Sequence, residues 1–283
     1  MVPPTPPHLA TLLARATSML RLPESPGESP AVTGDGDGLR CPRTGRVFRV
    51  EDGVLDLLGP GFEKTPAQKP LDIPFIAGAY DRLRPRLAWV LGLPAFEREV
   101  AGVMERLAIE RGDVVLDVAC GHGNFTLELA RRVGGDGLVI GVDIAGAMLR
   151  RAAAHVRAAG LGNVLLVRGD AMELPIADES FAKVNCSGGL HGIPDLRLAL
   201  AEFARVSQVG GRLAASGFAT APHDRLAGLK RRARERFDLH FVRMAWLRQE
   251  LERAGFAKVE TEMPSTWMGY CWARRGPTER TGR

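Results

Sequence analysis

Two glycines and two carboxylates carry the clearest chemical signal in the chain. Gly121 and Gly123 follow a short apolar run, 114–118, and Asp117 lies four residues before the first glycine. A second apolar run ends at Asp143. Glycines at a turn let a ligand approach the backbone, and a carboxylate about 20 residues further on can accept hydrogen bonds from the two hydroxyls of a ribose. The pattern therefore predicts a site for a cofactor that contains a nucleoside.

The elements that must position these residues follow from the same stretch. Residues 114–118 are rich in β-branched side chains and predict a buried strand, and residues 125–132 continue at helical spacing. Strand, glycine turn and helix in this order direct the backbone N–H groups at the start of the helix towards a ligand. Dinucleotide-binding enzymes share the arrangement, but their fingerprint has a third glycine where Thr126 stands in this chain.

Four segments in register extend this pattern. The segment 116–126 resembles motif I of the class I S-adenosylmethionine (SAM)-dependent methyltransferases, and the segment 141–149 resembles their second motif. Segments 168–181 and 201–213 continue the resemblance. The whole pattern most resembles the small-molecule branch of these enzymes, which includes quinone- and natural-product-modifying members and suggests secondary metabolism. A nicotinamide-dependent enzyme is the alternative that the glycine turn leaves open.

The resemblance implies a fold and a set of cofactor contacts. The fold is α/β and Rossmann-like: a seven-stranded, mostly parallel sheet with helices on both faces, an N-terminal helical lid and a small β-hairpin. The implied cofactor is SAM, the product is S-adenosyl-L-homocysteine (SAH), and no metal is implied. The residues that match the family's contacts are Asp117, Ala119, Gly121, Gly123, Asp143, Ile144, Met148, Asp170, Ala171, Asn185, Cys186 and Tyr80.

The family assigns these positions to different parts of the cofactor. Asp117 and the glycine turn hold the methionine end, and Asp143 holds the ribose. Asp170 and Ala171 hold the adenine. Tyr80 is either a contact from the lid or part of the buried face of a helix, and both interpretations stay open.

The loop after the predicted fourth strand is the expected centre of the chemistry, because ligands of such sheets bind outside the carboxyl ends of the strands. Enzymes that methylate base amines carry an N/D-P-P-Y/F motif here, whereas this chain has Asn-Cys-Ser-Gly-Gly-Leu-His over 185–191. This difference argues against methylation of a base amine. His191 is the candidate catalytic residue, either as a base that deprotonates the acceptor or as a residue that only orders the loop.

The chain before the glycine motif has a different character. Residues rich in Pro, Ser and Gly predict a flexible beginning. The hairpin that follows resembles a zinc-ribbon-like module, but Thr44 stands where its second cysteine would be, so we expect a metal-free remnant. The expected parts are a flexible segment at 1–38, the hairpin at 39–60, the helical lid at 70–112 and the SAM-binding domain at 113–283.

Bulk properties restrict the class and the partners. The 283 residues are 45% hydrophobic and carry a net charge of +5, with a basic run at 230–236. Since no apolar run approaches the ~20 residues of a membrane helix, we expect a cytoplasmic protein without a membrane span, either monomer or homodimer. A small-molecule acceptor is the first hypothesis. The alternatives are an rRNA or tRNA base methyltransferase and a protein that binds SAM or SAH without catalysis.

Overall fold

The described part of the chain contains twelve strands and seven α-helices. A computed structural model describes residues 7–25, 27–58, 95–237 and 239–277. In chain order the strands are β1 Ala31–Val32, β2 Gly38–Arg40, β3 Val47–Glu51, β4 Val54–Asp56, β5 Val114–Val118, β6 Leu138–Asp143, β7 Val164–Arg168, β8 Phe181–Cys186, β9 Ser207–Thr220, β10 Val242–Arg243, β11 Phe256–Glu262 and β12 Met268–Arg275. The α-helices are Pro7–Ala16, Phe96–Leu107, Asn124–Val133, Gly146–Ala158, Leu196–Val206, Ala227–Phe237 and Met244–Arg253.

The strands form one mixed sheet whose order is β1-β2-β3-β4-β7-β6-β5-β8-β9-β12-β11, with β10 paired to β9. The strands from β4 to β9 in this order are parallel neighbours, and β12 is antiparallel to both β9 and β11. The expected count of seven is therefore corrected to twelve within the described residues. The seven predicted strands form the continuous part of the sheet from β7 to β11, and β1 to β4 extend its other end because β4 pairs with the edge of β7.

Alternation along the central strands divides the core between two faces. In β5, Val115 packs on one face and Leu116 on the other, as the two-residue repeat of a strand requires. The first face is covered by the helices Phe96–Leu107, Asn124–Val133 and Gly146–Ala158. The second face is covered by the helices Pro7–Ala16, Leu196–Val206 and Met244–Arg253. Helices thus lie on both faces, and the strand ends remain free to form a site.

Within the expected flexible segment 1–38, side chains of residues 12–22 pack on the second face of the sheet. Leu13 is fully buried in the helix Pro7–Ala16. The backbone carbonyl of Met19 accepts a hydrogen bond of 2.8 Å from the N–H of Ala177, and the N–H of Arg21 donates to the carbonyl of Pro175 at 3.0 Å. The spacing of apolar residues over 9–22 is compatible with a helix that packs on the sheet, and burial of its leucines offsets the entropy of ordering this segment.

The hairpin of β3 and β4 contacts the loops at the carboxyl edge of the sheet. Asp56 in β4 forms an ion pair of 2.7 Å with Arg168 at the end of β7. The Nε of Arg168 donates to the carbonyl of Ile144 at 3.3 Å, and the N–H of Leu57 donates to the carbonyl of Arg168 at 3.0 Å. The hairpin therefore supports the loop that follows β6.

The predicted lid is described only at its end. The helix Phe96–Leu107 packs Val103 and Leu107 against the first face of the sheet. Tyr80 and the segment 70–94 lie outside the described residues. Within the part of the chain that the structure describes, no helix is both long and apolar enough to cross a membrane.

Candidate cofactor and acceptor site

The glycine turn after β5 has two functions, one at each glycine. Gly121 and Gly123 have φ values of +57° and +90°, in the region that glycine adopts at little cost. A Cβ at Gly121 would meet no atom within 4 Å, so this glycine leaves open space beside the turn. A Cβ at Gly123 would lie 3.1 Å from the side chains of Ala152 and Leu127. Gly121 therefore admits a ligand, whereas Gly123 allows two helices to approach each other.

Asp143, at the end of β6, joins two turns through its carboxylate. Its Oδ2 accepts a hydrogen bond of 2.8 Å from the N–H of Gly121, and its Oδ1 accepts one of 2.8 Å from the N–H of Ala145. Burial raises the pKa of Asp143, and the backbone donors oppose this shift. Since each carboxylate oxygen can accept a further hydrogen bond, the group remains able to bind ligand hydroxyls.

Asp117 lies beneath the turn, with 2% of its surface exposed. It accepts hydrogen bonds from the hydroxyl of Thr126 at 2.6 Å and from the amide of Asn185 at 2.7 Å. Burial raises the pKa of Asp117 to about 6, against the effect of these two donors. The amide oxygen of Asn185 accepts in turn from the hydroxyl of Ser187 at 2.6 Å. The network ties the turn after β5 to the loop after β8.

The end of β7 contributes Asp170 and Ala171, both partly exposed. The Oδ1 of Asp170 accepts a hydrogen bond of 2.9 Å from the N–H of Met172. Burial is the largest cause of the raised pKa of this carboxyl, and the nearby Glu173 adds to it. Asp170 thus presents a carboxylate oxygen beside an apolar side chain.

One cavity brings most of the predicted residues together. Its wall includes the predicted cofactor residues Ala119, Gly121, Asp143, Ile144, Met148, Asp170 and Ala171, together with His191. Behind this wall lie Asp117, Gly123, Asn185 and Cys186. The amide of Asn185 is engaged by Asp117 and Ser187, so it does not present an amide to a ligand in the way that a base-amine motif would.

His191 lies in the short 3-10 helix Leu190–Gly192 after β8. Its ring stacks on Phe218, with 4.1 Å between the ring centroids, and its carbonyl accepts a hydrogen bond of 2.9 Å from the N–H of His240. Among the described residues its buried Nδ1 has no hydrogen-bond partner. Burial, with a smaller contribution from His240, lowers the pKa of His191 to about 4. The imidazole is therefore neutral at physiological pH.

Several wall residues escaped the sequence-based prediction. Asn124 and Phe125 line the cavity, and their positions directly after the glycine turn could have identified them as wall residues. Gly189 is also in the wall. A glycine is needed there because a Cβ would lie 2.6 Å from the Cβ of Ala119. The stacking of Phe218 on His191 had no sequence signal, since the two residues meet only through the tertiary fold.

The basic run is split between the interior and the surface. Lys230 is 3% exposed, and its ammonium donates to the carbonyl of Ala219 at 2.8 Å and to the carboxylate of Asp224. It also lies 5.2 Å from the ring centroid of Trp267. Arg231 and Arg232 on the same helix are exposed. Lys230 therefore stabilises the insert that follows β9 and is not part of a basic surface.

Comparison with known proteins agrees with this geometry. The sequence profile of the ubiE/COQ5 methyltransferase family matches residues 76–227. The chain is similar to the demethylmenaquinone methyltransferase of Geobacillus kaustophilus, with 38% identity over 136 residues that cover 48% of this chain and 56% of that protein. The enzyme of the same name from Geobacillus stearothermophilus is 42% identical over 109 residues, which cover 38% of this chain and 47% of that protein. The chain thus spans about half the length of the curated relatives it matches.

A solved structure supports the fold. The phosphoethanolamine N-methyltransferase 2 of Haemonchus contortus, solved in complex with S-adenosyl-L-methionine, superposes with a TM-score of 0.63. The alignment covers 78% of this chain and 62% of that chain at 15% identity, so the similarity is one of fold.

Proposed function

The chain belongs to the ubiE/COQ5 methyltransferase family, and we propose that it transfers a methyl group from SAM to an O or C nucleophile of a small-molecule, quinone-like acceptor. One observation carries the proposal: Asp143 and His191 line the same cavity. Asp143 ends β6 and His191 follows β8, the two strands that flank β5 and its glycine turn. A cofactor residue and a candidate acceptor residue thus meet around one turn.

The cavity fits an adenosyl cofactor in shape and in chemistry. Open space beside Gly121 accepts the methionine end next to the backbone. The free lone pairs of Asp143 suit the two hydroxyls of a ribose, and Asp170 can accept a hydrogen bond from an exocyclic amine. Ile144 and Met148 add apolar contacts for an aromatic ring. Asp117 supports the methionine end from below, through the turn.

The chemistry requires positioning more than proton transfer. SAM, when bound, supplies a methyl carbon that its sulfonium sulfur has already activated. Holding the nucleophile in line with this carbon and the sulfur can therefore provide most of the acceleration of methyl transfer. His191, as a neutral imidazole with an unpartnered Nδ1, can accept a hydrogen bond from an acceptor hydroxyl. Its low pKa makes it a weak base, so we assign it orientation of the acceptor hydroxyl through this hydrogen bond.

A transfer assay with radiolabelled methyl-SAM tests the proposal. The acceptors are reduced demethylmenaquinone, simple hydroquinones and catechols, and total RNA. We expect SAH and labelled product with a reduced quinone or phenolic acceptor, and no label in RNA. Label in RNA would contradict the proposal in favour of a base methyltransferase. SAM binding without SAH formation from any acceptor would contradict it in favour of a non-catalytic binding protein.

A further inference from the structure

A second cavity adjoins the first, and its walls carry three arginines. Arg197 comes from the start of the helix Leu196–Val206, Arg234 from the helix Ala227–Phe237, and Arg243 from the end of β10. Four segments of the chain, which include the loop at His240, converge here. The convergence produces a local positive charge that is not evident from the order of residues in the sequence.

Two of the three arginines have no ion-pair partner among the described residues. Arg234 and Arg243 are exposed, and within the described residues no carboxylate lies within ion-pair distance of either guanidinium. Arg197 forms an ion pair of 3.2 Å with Glu250 and lies 5.7 Å from the ring centroid of Trp246. Guanidinium groups without protein partners at the wall of a cavity remain available to bind an oxyanion in bidentate geometry.

The carboxylate in the wall is engaged by backbone donors. The Oδ1 of Asp195 accepts hydrogen bonds from the N–H groups of Arg197 at 2.9 Å and of Leu198 at 3.3 Å, where it caps the helix Leu196–Val206. The helix Met244–Arg253 begins in the same wall without a side-chain cap. Its first backbone N–H groups add to the positive potential that the arginines create.

The second cavity lies next to the reactive end of the first. Pro194 lines both cavities. Phe241, in the wall of the second cavity, stacks on Phe218 at 5.5 Å between ring centroids, and Phe218 stacks on His191 at 4.1 Å. Two aromatic rings therefore separate the arginines from the imidazole.

We propose that the second cavity is an oxyanion subsite, and that the acceptor carries a phosphate or carboxylate group that binds to Arg234 and Arg243. The anion would anchor one end of the acceptor while its nucleophile reaches the space beside His191. The assignment of the anion to the acceptor rests on the proposed methyl transfer. The binding of an anion at this cavity is independent of that proposal. Among quinone-like and phenolic acceptors, the subsite would thus favour those that carry an acidic group over neutral ones of the same shape.

Calorimetric titration of the full chain without SAM tests the subsite directly. The probes are inorganic phosphate, phenyl phosphate and benzoate at constant ionic strength. Arg234→Gln and Arg243→Gln should each weaken binding about tenfold, since a hydrogen bond to a charged group contributes roughly one such factor or more. The matched control is Arg231→Gln, because Arg231 lies on the helix of Arg234, is exposed and does not line the cavity.

The outcomes separate the sources of the anion and the two proposals. Tighter binding of phenyl phosphate would identify a phosphorylated acceptor, and tighter binding of benzoate a carboxylated one. Absence of binding by the wild type, or an equal loss in Arg231→Gln, would overturn the subsite. A parallel SAM titration keeps the proposals distinct: anion binding without SAM binding would remove the proposed methyl transfer and leave the subsite standing.

Discussion

The two halves of the main cavity are built on different principles. The cofactor half, formed by the turns after β5, β6 and β7, satisfies its carboxylates with neighbouring donors: Asp117 with two side chains and Asp143 with two backbone N–H groups. The acceptor half, formed by the loop after β8, contains His191, whose ring stacks on Phe218 and whose Nδ1 has no partner among the described residues. The polar groups of the cofactor half are therefore held in place by hydrogen bonds within the protein, whereas the Nδ1 of His191 in the acceptor half is available to bind the acceptor.

The largest expected effect on stability lies in the cofactor half. Asp117→Ala leaves the hydroxyl of Thr126 and the amide of Asn185 buried without their acceptor. Each unpaired donor costs about 1–3 kcal/mol, so the free energy of unfolding should fall by about 2–6 kcal/mol in urea titrations. Asp136→Ala, at an exposed position, is the matched control and should change stability little. A fall in the Asp117 variant as small as in the control would show that the network does not hold the two halves together.

The acceptor half should show the opposite behaviour. His191→Phe keeps a ring against Phe218 and removes a buried nitrogen that has no partner among the described residues. Stability should therefore stay the same or rise slightly, while the rate of methyl transfer should fall at least about tenfold. SAM affinity, measured by calorimetry, should stay the same. A loss of stability together with unchanged transfer would make His191 a structural residue.

This contrast explains what the sequence could predict. Gly121 and Asp143 belong to two strand ends at a characteristic spacing, so the spacing predicted that they would share a site, and the family resemblance added Asp170 to it. The contact of Phe218 with His191 depends on β9 extending to Thr220, beyond the segment 201–213 that carries the family pattern. Asp117 was predicted as a cofactor contact, but its spacing could not show that Thr126 and Asn185 already occupy its oxygens.

The N-terminal region illustrates the same limit in the fold. The seven strands from β7 to β11 in the sheet order follow from their apolar runs, whereas β1 to β4 add to the sheet through the pairing of β4 with β7. The sequence predicted a hairpin at 39–60, but the few side chains of the three-residue strand β4 could not indicate that it pairs with β7. Its place in the sheet is fixed by backbone hydrogen bonds and by the ion pair of Asp56 with Arg168.

The pH dependence of stability should differ between the halves. Because burial raises the pKa of Asp117 from its ordinary value of 3.8 to about 6, the folded state binds more protons in this range, and stability falls as pH rises through it. The raised pKa values of Asp143 and Asp170 act in the same direction.

His191 acts in the opposite direction. Its folded pKa of about 4 lies below the ordinary 6.5, so its contribution is lost as pH falls through this range. Without this contribution, the effect of the carboxylates is unopposed. We therefore expect the stability of the His191→Phe variant to fall more steeply than that of the wild type as pH rises from 4 to 6.5. Parallel pH profiles of unfolding for the two proteins would contradict this opposition of the two halves.

The smallest effect concerns the hairpin that supports the cofactor half. Asp56→Ala removes the partly exposed ion pair with Arg168, whose Nε holds the carbonyl of Ile144. Such pairs contribute about 0–1 kcal/mol, so SAM affinity should weaken about two- to threefold, with transfer from saturating SAM unchanged. Glu51→Ala, at an exposed position of the same hairpin, is the control. Equal effects of the two substitutions on SAM affinity would contradict the role of the hairpin in supporting the loop.

Calorimetric titration with SAM, SAH and NADH, on the wild type and on Asp143→Ala, tests the cofactor half most directly. The carboxylate of Asp143 holds both turns and faces the cavity, so its removal should abolish SAM and SAH binding. We predict micromolar binding of SAM and SAH to the wild type, loss of both in Asp143→Ala, and no heat with NADH. A wild type that ignores SAM and SAH but binds NADH would contradict the methyltransferase site and indicate a dehydrogenase.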